Sequence, residues 1–155
     1  DMGTGSGIQA IVAAKNQNVV SVIAVDANEI ALQCAEENAV SNKVKEKIKF
    51  ICSNLFENAE GTFNTIIFNP PYLPVEEGET DLTYAGGATG REVIEKFVVE
   101  VKSHLNPGGL VLILISSLTG EKEVIELFKK QKMSATSIMR EKIEWEELIV
   151  IRGFR

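Results

Sequence analysis

Thr65-Ile66-Ile67-Phe68-Asn69-Pro70-Pro71-Tyr72 is an apolar run that breaks into a polar, doubly prolyl turn, the pattern of a buried strand running out into a loop. Proline fixes its own φ and holds the residue before it extended, so two in succession make a turn that does not relax. The side-chain carbonyl of Asn69 and the backbone carbonyl of Pro70 then make two fixed acceptors matched to the hydrogens of one NH2 group, with Tyr72 as an aromatic wall. Such a pocket suits a planar, neutral NH2: a carboxamide or the exocyclic amine of a nucleobase. The plainer reading is that N-P-P-Y only ends a strand and turns the chain. Its surroundings weigh against that.

Upstream, Gly3, Gly5 and Gly7 form G-x-G-x-G ahead of Ile8, Ile11 and Val12, the expected apolar face of a first helix. Val20 to Val25 reads as a β-branched strand ending in Asp26, and Ile30/Ala31, Cys34/Ala35 and Asn38/Ala39 recur at helical spacing. Strands are expected at Lys49 to Cys52 and Phe63 to Phe68. Downstream, Thr89 and Glu92 have capping-box spacing before a helix whose apolar face is Ile94, Phe97, Val98, Val101 and Leu105. Asn106-Pro107-Gly108-Gly109 is expected to stop that helix, and Leu110 to Ile115 to form a strand buried on both faces. A helix over Glu121 to Gln131 precedes two strands, Ala135 to Arg140 and Glu147 to Arg152, joined closely enough to be antiparallel.

Strands alternating with helices predict an α/β fold with a parallel sheet, whose ligands bind at the carboxyl ends of the strands. The glycine loop, Asp26, Asn54 and Asn69 each follow a strand and so are expected on one sheet edge. A glycine loop of this kind normally follows a strand of its own. The chain opens at Asp1-Met2-Gly3, so the expectation is a longer polypeptide whose first strand precedes Asp1.

With 155 residues, 45% of them apolar, the chain is expected to form one domain over 1–155. Lys and Arg number 16 against 22 Asp and Glu, a net charge of −6 with no strongly basic stretch. That balance argues against a phosphate backbone as the main partner and favours a protein substrate. Cys34 and Cys52 lack metal-ligand spacing, so no metal site is expected, and two cysteines fit a reducing interior. No signal peptide or membrane span is visible, which places the expected location in the cytoplasm.

The glycines let a backbone approach a ligand closely, and Asp26, about 20 residues further on, is placed to accept from two ribose hydroxyls. Gly5-Ser6-Gly7-Ile8-Gln9-Ala10 also satisfies the dinucleotide pattern G-x-G-x-x-A, so an NAD-binding domain is a competitor. Nothing further along supports hydride chemistry. The one histidine, His104, falls at the end of a helix, where a cation simply complements the dipole.

Asp1-Met2-Gly3-Thr4-Gly5-Ser6-Gly7, Asp26 and Asn69-Pro70-Pro71-Tyr72 together resemble the motifs of class I S-adenosylmethionine-dependent methyltransferases that modify NH2 nitrogens. Ala85-Gly86-Gly87-Ala88-Thr89-Gly90-Arg91-Glu92 narrows the resemblance to the HemK-like glutamine methyltransferases, in the archaeal and eukaryotic branch. It runs through essentially the whole chain and lacks only the family's N-terminal region. The resemblance implies a Rossmann-like seven-stranded sheet with helices on both faces, mostly parallel, with an antiparallel C-terminal strand and the first strand absent from this chain. It implies S-adenosylmethionine as cofactor, held by Asp1, Gly3, Thr4, Gly5, Gly7, Asp26, Ala27, Asn54, Leu55 and Asn69. Asn69, Pro70, Pro71 and Tyr72 would bind the substrate, with Asn69, Pro70 and Tyr72 catalytic.

The implied reaction is N5-methylation of a glutamine in the Gly-Gly-Gln motif of a class 1 release factor. The implied partner is a small zinc-binding activator protein, forming a heterodimer. The strand ending at Cys52 is expected at the sheet edge, where strand addition is open. Two positions depart from the family's usual aspartates, Asn54 and Asn64; Asn54 still offers an uncharged acceptor for an adenine amine. The stretch Leu73 to Gly90 carries Glu76, Glu77, Glu79 and Asp81 and reads as a lid or docking element or as a plain solvated loop. An adenine N6-methyltransferase of nucleic acid would use the same pocket and remains an alternative.

Overall fold

The computed structural model describes residues 1–74 and 86–155. The expectations at Glu76, Glu77, Glu79, Asp81 and Ala85 lie outside the described residues. The chain divides into two compact units, Asp1–Glu60 and Gly61–Arg155.

In the first unit, helices α1 (Ile8–Lys15) and α2 (Glu29–Ser41) accompany strands β1 (Val22–Asp26) and β2 (Ile48–Cys52). The strands pair in parallel, Val22 opposite Ile48 through Asp26 opposite Cys52. The segment before the glycine loop also runs parallel to β1: Val25 N–H donates to the Asp1 carbonyl and Thr4 N–H to the Val25 carbonyl, both at 2.8 Å. Small side chains line the core, with Ala10, Ala14, Ala24 and Ala39 beside Ile11 and Ile48. The expected apolar face of α1 needs correcting. Ile11 is buried, but Ile8 and Val12 are 63% and 62% exposed, and Ala10 and Ala14 take the inward positions. Close helix–strand approach selects alanine, whereas periodicity marks a stripe without saying which edge of it faces inward. In α2, likewise, Leu32, Ala35 and Ala39 are buried while Ile30 and Cys34 are exposed.

In the second unit, strands β3 (Phe63–Phe68), β4 (Leu105–Ser116), β5 (Ser134–Lys142) and β6 (Glu147–Phe154) form one sheet in the order β3-β4-β6-β5. β3 and β4 are parallel, and β6 runs antiparallel to both β4 and β5, as the resemblance implies for the C-terminal strand. Register assigns the faces. Ile66, Val111 and Gly153 align across the sheet, as do Phe68, Ile113 and Ile151. This face is buried, and helices α3 (Glu92–Val101) and α4 (Glu121–Lys130) supply Ile94, Phe97, Val98, Val101, Val124 and Phe128 to the same core. The Phe68 and Phe97 ring centroids are 4.6 Å apart. Leu110, Leu112 and Leu114, on the opposite face of β4, are only half-buried among the described residues. The burial of β4 expected on both faces is therefore complete on one face and partial on the other among the described residues.

Two boundaries differ from expectation. Asn106-Pro107-Gly108-Gly109 does not stop α3; a 3-10 turn at Lys102–His104 does, and the four residues already belong to β4, where Leu105 pairs with Phe63. Thr89 is not the N-cap of α3, because Arg91 occupies that position. No helix among the described residues is long and apolar enough to cross a membrane.

Candidate active site

In the first unit the glycine loop is held by two aspartates. Gly7, at the N-cap of α1, has no side chain with which to cap the helix, and Asp1 does so from outside. Its Oδ2 accepts from Ala10 N–H at 3.0 Å and from the Thr4 hydroxyl at 2.6 Å. A carboxylate at a helix N-terminus satisfies an open N–H and complements the dipole. Thr4, only 5% exposed, spends its hydroxyl on this bond, so Asp1 and Thr4 shape the loop from within.

Asp26 ends β1 and reaches across the loop: Oδ2 accepts from Gly5 N–H at 2.8 Å and Oδ1 from Asn28 N–H at 2.9 Å. Each oxygen keeps a second lone pair for a hydroxyl donor. Among the described residues, a Cβ added at Gly5 would meet nothing within 4 Å. The Asp26 carboxylate, beside a loop with no Cβ at Gly5, can accept from two further hydroxyl donors. Gly3 lies exposed in the same loop, and Ala27 is exposed immediately after Asp26.

β2 ends beside β1, where Ser53 N–H continues the ladder to the Asp26 carbonyl at 2.9 Å. The Asn54 amide nitrogen donates to Glu57 Oε1 at 2.9 Å, and among the described residues the side-chain oxygen of Asn54 accepts no hydrogen bond. The substitution of Asn for the family's usual aspartate therefore keeps the acceptor. Nothing in the sequence pattern points to Glu57 as the group that orients it. Leu55 follows with φ 51°, a left-handed conformation costly for a leucine. Buried Ser53 holds the turn there, donating to the Leu55 carbonyl at 2.9 Å and accepting from Asn58 N–H at 2.8 Å.

In the second unit Asn69 is exposed at the carboxyl end of β3, Pro70 is buried, and Pro71 and Tyr72 are half-buried. Among the described residues the Asn69 carboxamide has no hydrogen-bond partner. Partial burial pushes the Tyr72 phenol up from its ordinary value, and the Glu146 carboxylate adds to the shift, so the hydroxyl stays neutral through physiological pH.

The G-G-x-x-G-R-E segment packs directly against this turn. Gly86 N–H donates to the Leu73 carbonyl at 2.9 Å, and a Cβ on Gly86 would come within 2.8 Å of the Pro71 carbonyl oxygen. Gly90 has φ 71°, and a Cβ there would overlap the Tyr72 carbonyl oxygen. We expect Gly90→Ala to cost on the order of 1–3 kcal/mol in thermal or denaturant unfolding, because backbone on both sides must shift. Arg91 Nη1 donates to the Thr119 carbonyl at 2.6 Å, and the fully buried Thr119 hydroxyl donates to the Tyr72 carbonyl at 3.1 Å. Thr119 carries no motif signal, and only the folded chain reveals it.

Glu92 closes the segment. Its carboxylate accepts from Thr89 N–H, the Thr89 hydroxyl and Arg91 N–H at 3.0, 3.2 and 3.1 Å. Desolvation pushes the Glu92 carboxyl up, but these bonds outweigh it and hold the group below the ordinary carboxylate range. A depressed folded value stabilises above the unfolded value of about 4.3 and loses that contribution as pH falls through the folded one. Thermal midpoints of the native chain and Glu92→Gln should therefore differ at neutral pH and draw together as the pH falls below about 4.3. A gap unchanged by acid would contradict the assignment.

Residues 1–140 match the family model described as methyltransferase small domain. A protein of Methanocaldococcus jannaschii, provisionally named a protein N5-glutamine methyltransferase, is 41% identical over 160 residues, covering 100% of this chain and 80% of its own. The ribosomal protein uL3 glutamine methyltransferase of Neisseria meningitidis is 33% identical over 124 residues, covering 74% of this chain, which spans only 41% of that relative. Among solved structures, the Mtq2–Trm112 complex of E. cuniculi, responsible for methylation of the eRF1 translation termination factor, matches with a TM-score of 0.75. The match is 24% identical and covers 100% of this chain and 82% of that one.

Proposed function

The chain belongs to the methyltransferase small domain family, and from that premise we propose that it methylates the N5 nitrogen of a protein glutamine, in the Gly-Gly-Gln motif of a class 1 release factor. It is an S-adenosylmethionine-dependent methyltransferase, as its family and relatives are. The observation that carries the finer reading is the diproline turn, whose Asn69 carboxamide has no partner among the described residues, braced by the G-G-x-x-G-R-E segment. The acidic net charge of −6 supports a protein over a nucleic acid as substrate. The archaeal relative supports glutamine, and the eRF1-methylating complex supports a release factor.

S-adenosylmethionine supplies an electrophilic methyl group on a sulfonium. Asp26 takes the ribose hydroxyls, Asn54 and Leu55 the adenine, and Gly3, Gly5 and Gly7 let the backbone approach, in a loop shaped by Asp1 and Thr4. Ala27, following Asp26, lines the same cofactor contact. A carboxamide nitrogen is a poor nucleophile because its lone pair is delocalised. Asn69 and Pro70 accept its two N–H hydrogens, which aligns the lone pair and stabilises positive charge developing on nitrogen. Tyr72 packs on the amide plane, and Pro71 keeps the turn rigid. No dedicated base is required, because the methylated amide cation is acidic and loses its proton to water.

The decisive experiment supplies labelled S-adenosylmethionine with a class 1 release factor, ribosomal protein uL3, DNA or RNA in turn. Label on a release-factor glutamine is expected. Label on uL3 alone would move the substrate assignment, and label on adenine alone would replace the reaction. We propose in addition that a small activator protein, zinc-binding as the family resemblance implies, adds to β2, which pairs only with β1 among the described residues. Unchanged solubility and activity with and without such a partner would refute it. Acting on translation factors, the protein would work in the cytoplasm.

A further inference from the structure

We propose that Thr119 and Arg91 are positioning residues for methyl transfer, locking the diproline turn through the Tyr72 carbonyl; this rests on the reading of that turn as the amide-binding element. Three segments far apart in sequence meet in a closed ring of contacts. The Tyr72 carbonyl oxygen accepts from the Thr119 hydroxyl at 3.1 Å. The Thr119 carbonyl accepts from Arg91 Nη1 at 2.6 Å. The residue before Arg91 is Gly90, whose α-carbon lies so close to the Tyr72 carbonyl that no side chain fits between them. Ser116 anchors the 3-10 turn that presents Thr119, its hydroxyl accepting from Leu118 N–H at 3.0 Å.

The ring acts where the turn would otherwise be free. Asn69 to Pro71 are stiffened by two fixed proline φ angles, and Tyr72 is the first residue after them without that restraint. Rotation at Tyr72 would swing the Tyr72 ring and, through the rigid prolines, tilt the acceptor on Pro70. Catalysis that depends on aligning one lone pair tolerates little displacement, and a shift of about 1 Å can cost about 10²-fold. A hydroxyl that is 0% exposed and a guanidinium spent on a backbone carbonyl hold Tyr72 without touching substrate.

The test uses full-length protein with release factor and labelled S-adenosylmethionine, well below the melting temperature of every variant. Thr119→Val keeps the shape but removes the donor. It should lower kcat by about tenfold or more, while KM for the release factor and Kd for S-adenosylmethionine stay within about threefold. Thr119→Ser, which restores the hydroxyl, should return kcat to within about twofold of the native chain. Arg91→Met, which keeps the length and removes the donor to Thr119, should lower kcat at least threefold with KM unchanged. It decides the matter if Thr119→Val does not fold. A purely structural role would lower the melting temperature and leave kcat intact. Native-like kcat in the folded variants, with an active native chain, overturns this inference alone; a native chain that methylates no protein overturns it together with the function it rests on.

Discussion

Asn69→Ala lowers kcat on a release factor by on the order of 10²-fold or more and leaves the affinity for S-adenosylmethionine nearly unchanged. The magnitude follows from removing one preorganised acceptor aimed at charge that develops only in the transition state. Asn69 is exposed, and among the described residues its carboxamide has no internal partner. Its loss therefore leaves no buried group unsatisfied, and the fold should survive with an unaltered melting temperature. Asn69→Asp separates geometry from charge. It keeps an oxygen in place but adds a negative charge, and its kcat should lie between those of the native chain and the alanine variant. The measurements are single-turnover rates with labelled cofactor and equilibrium binding of the cofactor alone. Near-native turnover in Asn69→Ala would remove the role assigned to the diproline turn.

Asp26→Ala should weaken S-adenosylmethionine binding by on the order of 10²-fold, the loss expected when two charge-assisted hydrogen bonds to a ligand disappear. The same substitution strips the acceptor from Gly5 N–H and Asn28 N–H, which are 2.8 and 2.9 Å from the carboxylate oxygens. Part of the effect is therefore loosening of the loop itself. Asp26→Asn apportions the two contributions. Its single oxygen serves one of the two backbone donors while its NH2 faces the other, so it should bind the cofactor little better than the alanine variant. Isothermal titration with cofactor alone provides the readout, and a Kd within about threefold of native for both variants would exclude Asp26 from the site. At saturating cofactor, kcat should fall much less than in Asn69→Ala, because Asp26 contributes binding common to ground and transition states.

How much of this could be read from the sequence varies by element. β3 matches its expected bounds, Phe63–Phe68, because β-branched and aromatic residues end there against two prolines. The core face of α3 is as expected for Ile94, Phe97, Val98 and Val101, all buried, whereas Leu105, expected on the same helix, opens β4 instead. In α1 the periodicity points to Ile8 and Val12, yet both are exposed. The difference lies in how each helix packs. The face of α3 is lined by large side chains and reads clearly, whereas α1 packs through alanines and its inward edge carries almost no hydrophobic contrast. The start of α3 differs from expectation for a separate reason. Thr89 has the spacing of a cap, but Glu92 turns its carboxylate back onto Thr89 and Arg91 and fixes the helix start itself.

By itself, the sequence determined the alternation of strands and helices, the glycine loop, the acidic strand end and the stiff diproline turn. Each of these follows from local stereochemistry: side-chain periodicity, glycine's missing Cβ and proline's fixed φ. Only the tertiary structure decided which oxygens remain available: Asn54 offers its carbonyl because Glu57 occupies its amide nitrogen, and the Tyr72 carbonyl is taken by Thr119. Those outcomes depend on hydrogen bonds whose partners are chosen by the fold, in the case of Tyr72 and Thr119 across 47 positions of chain. Spacing between neighbours carries no record of such a choice.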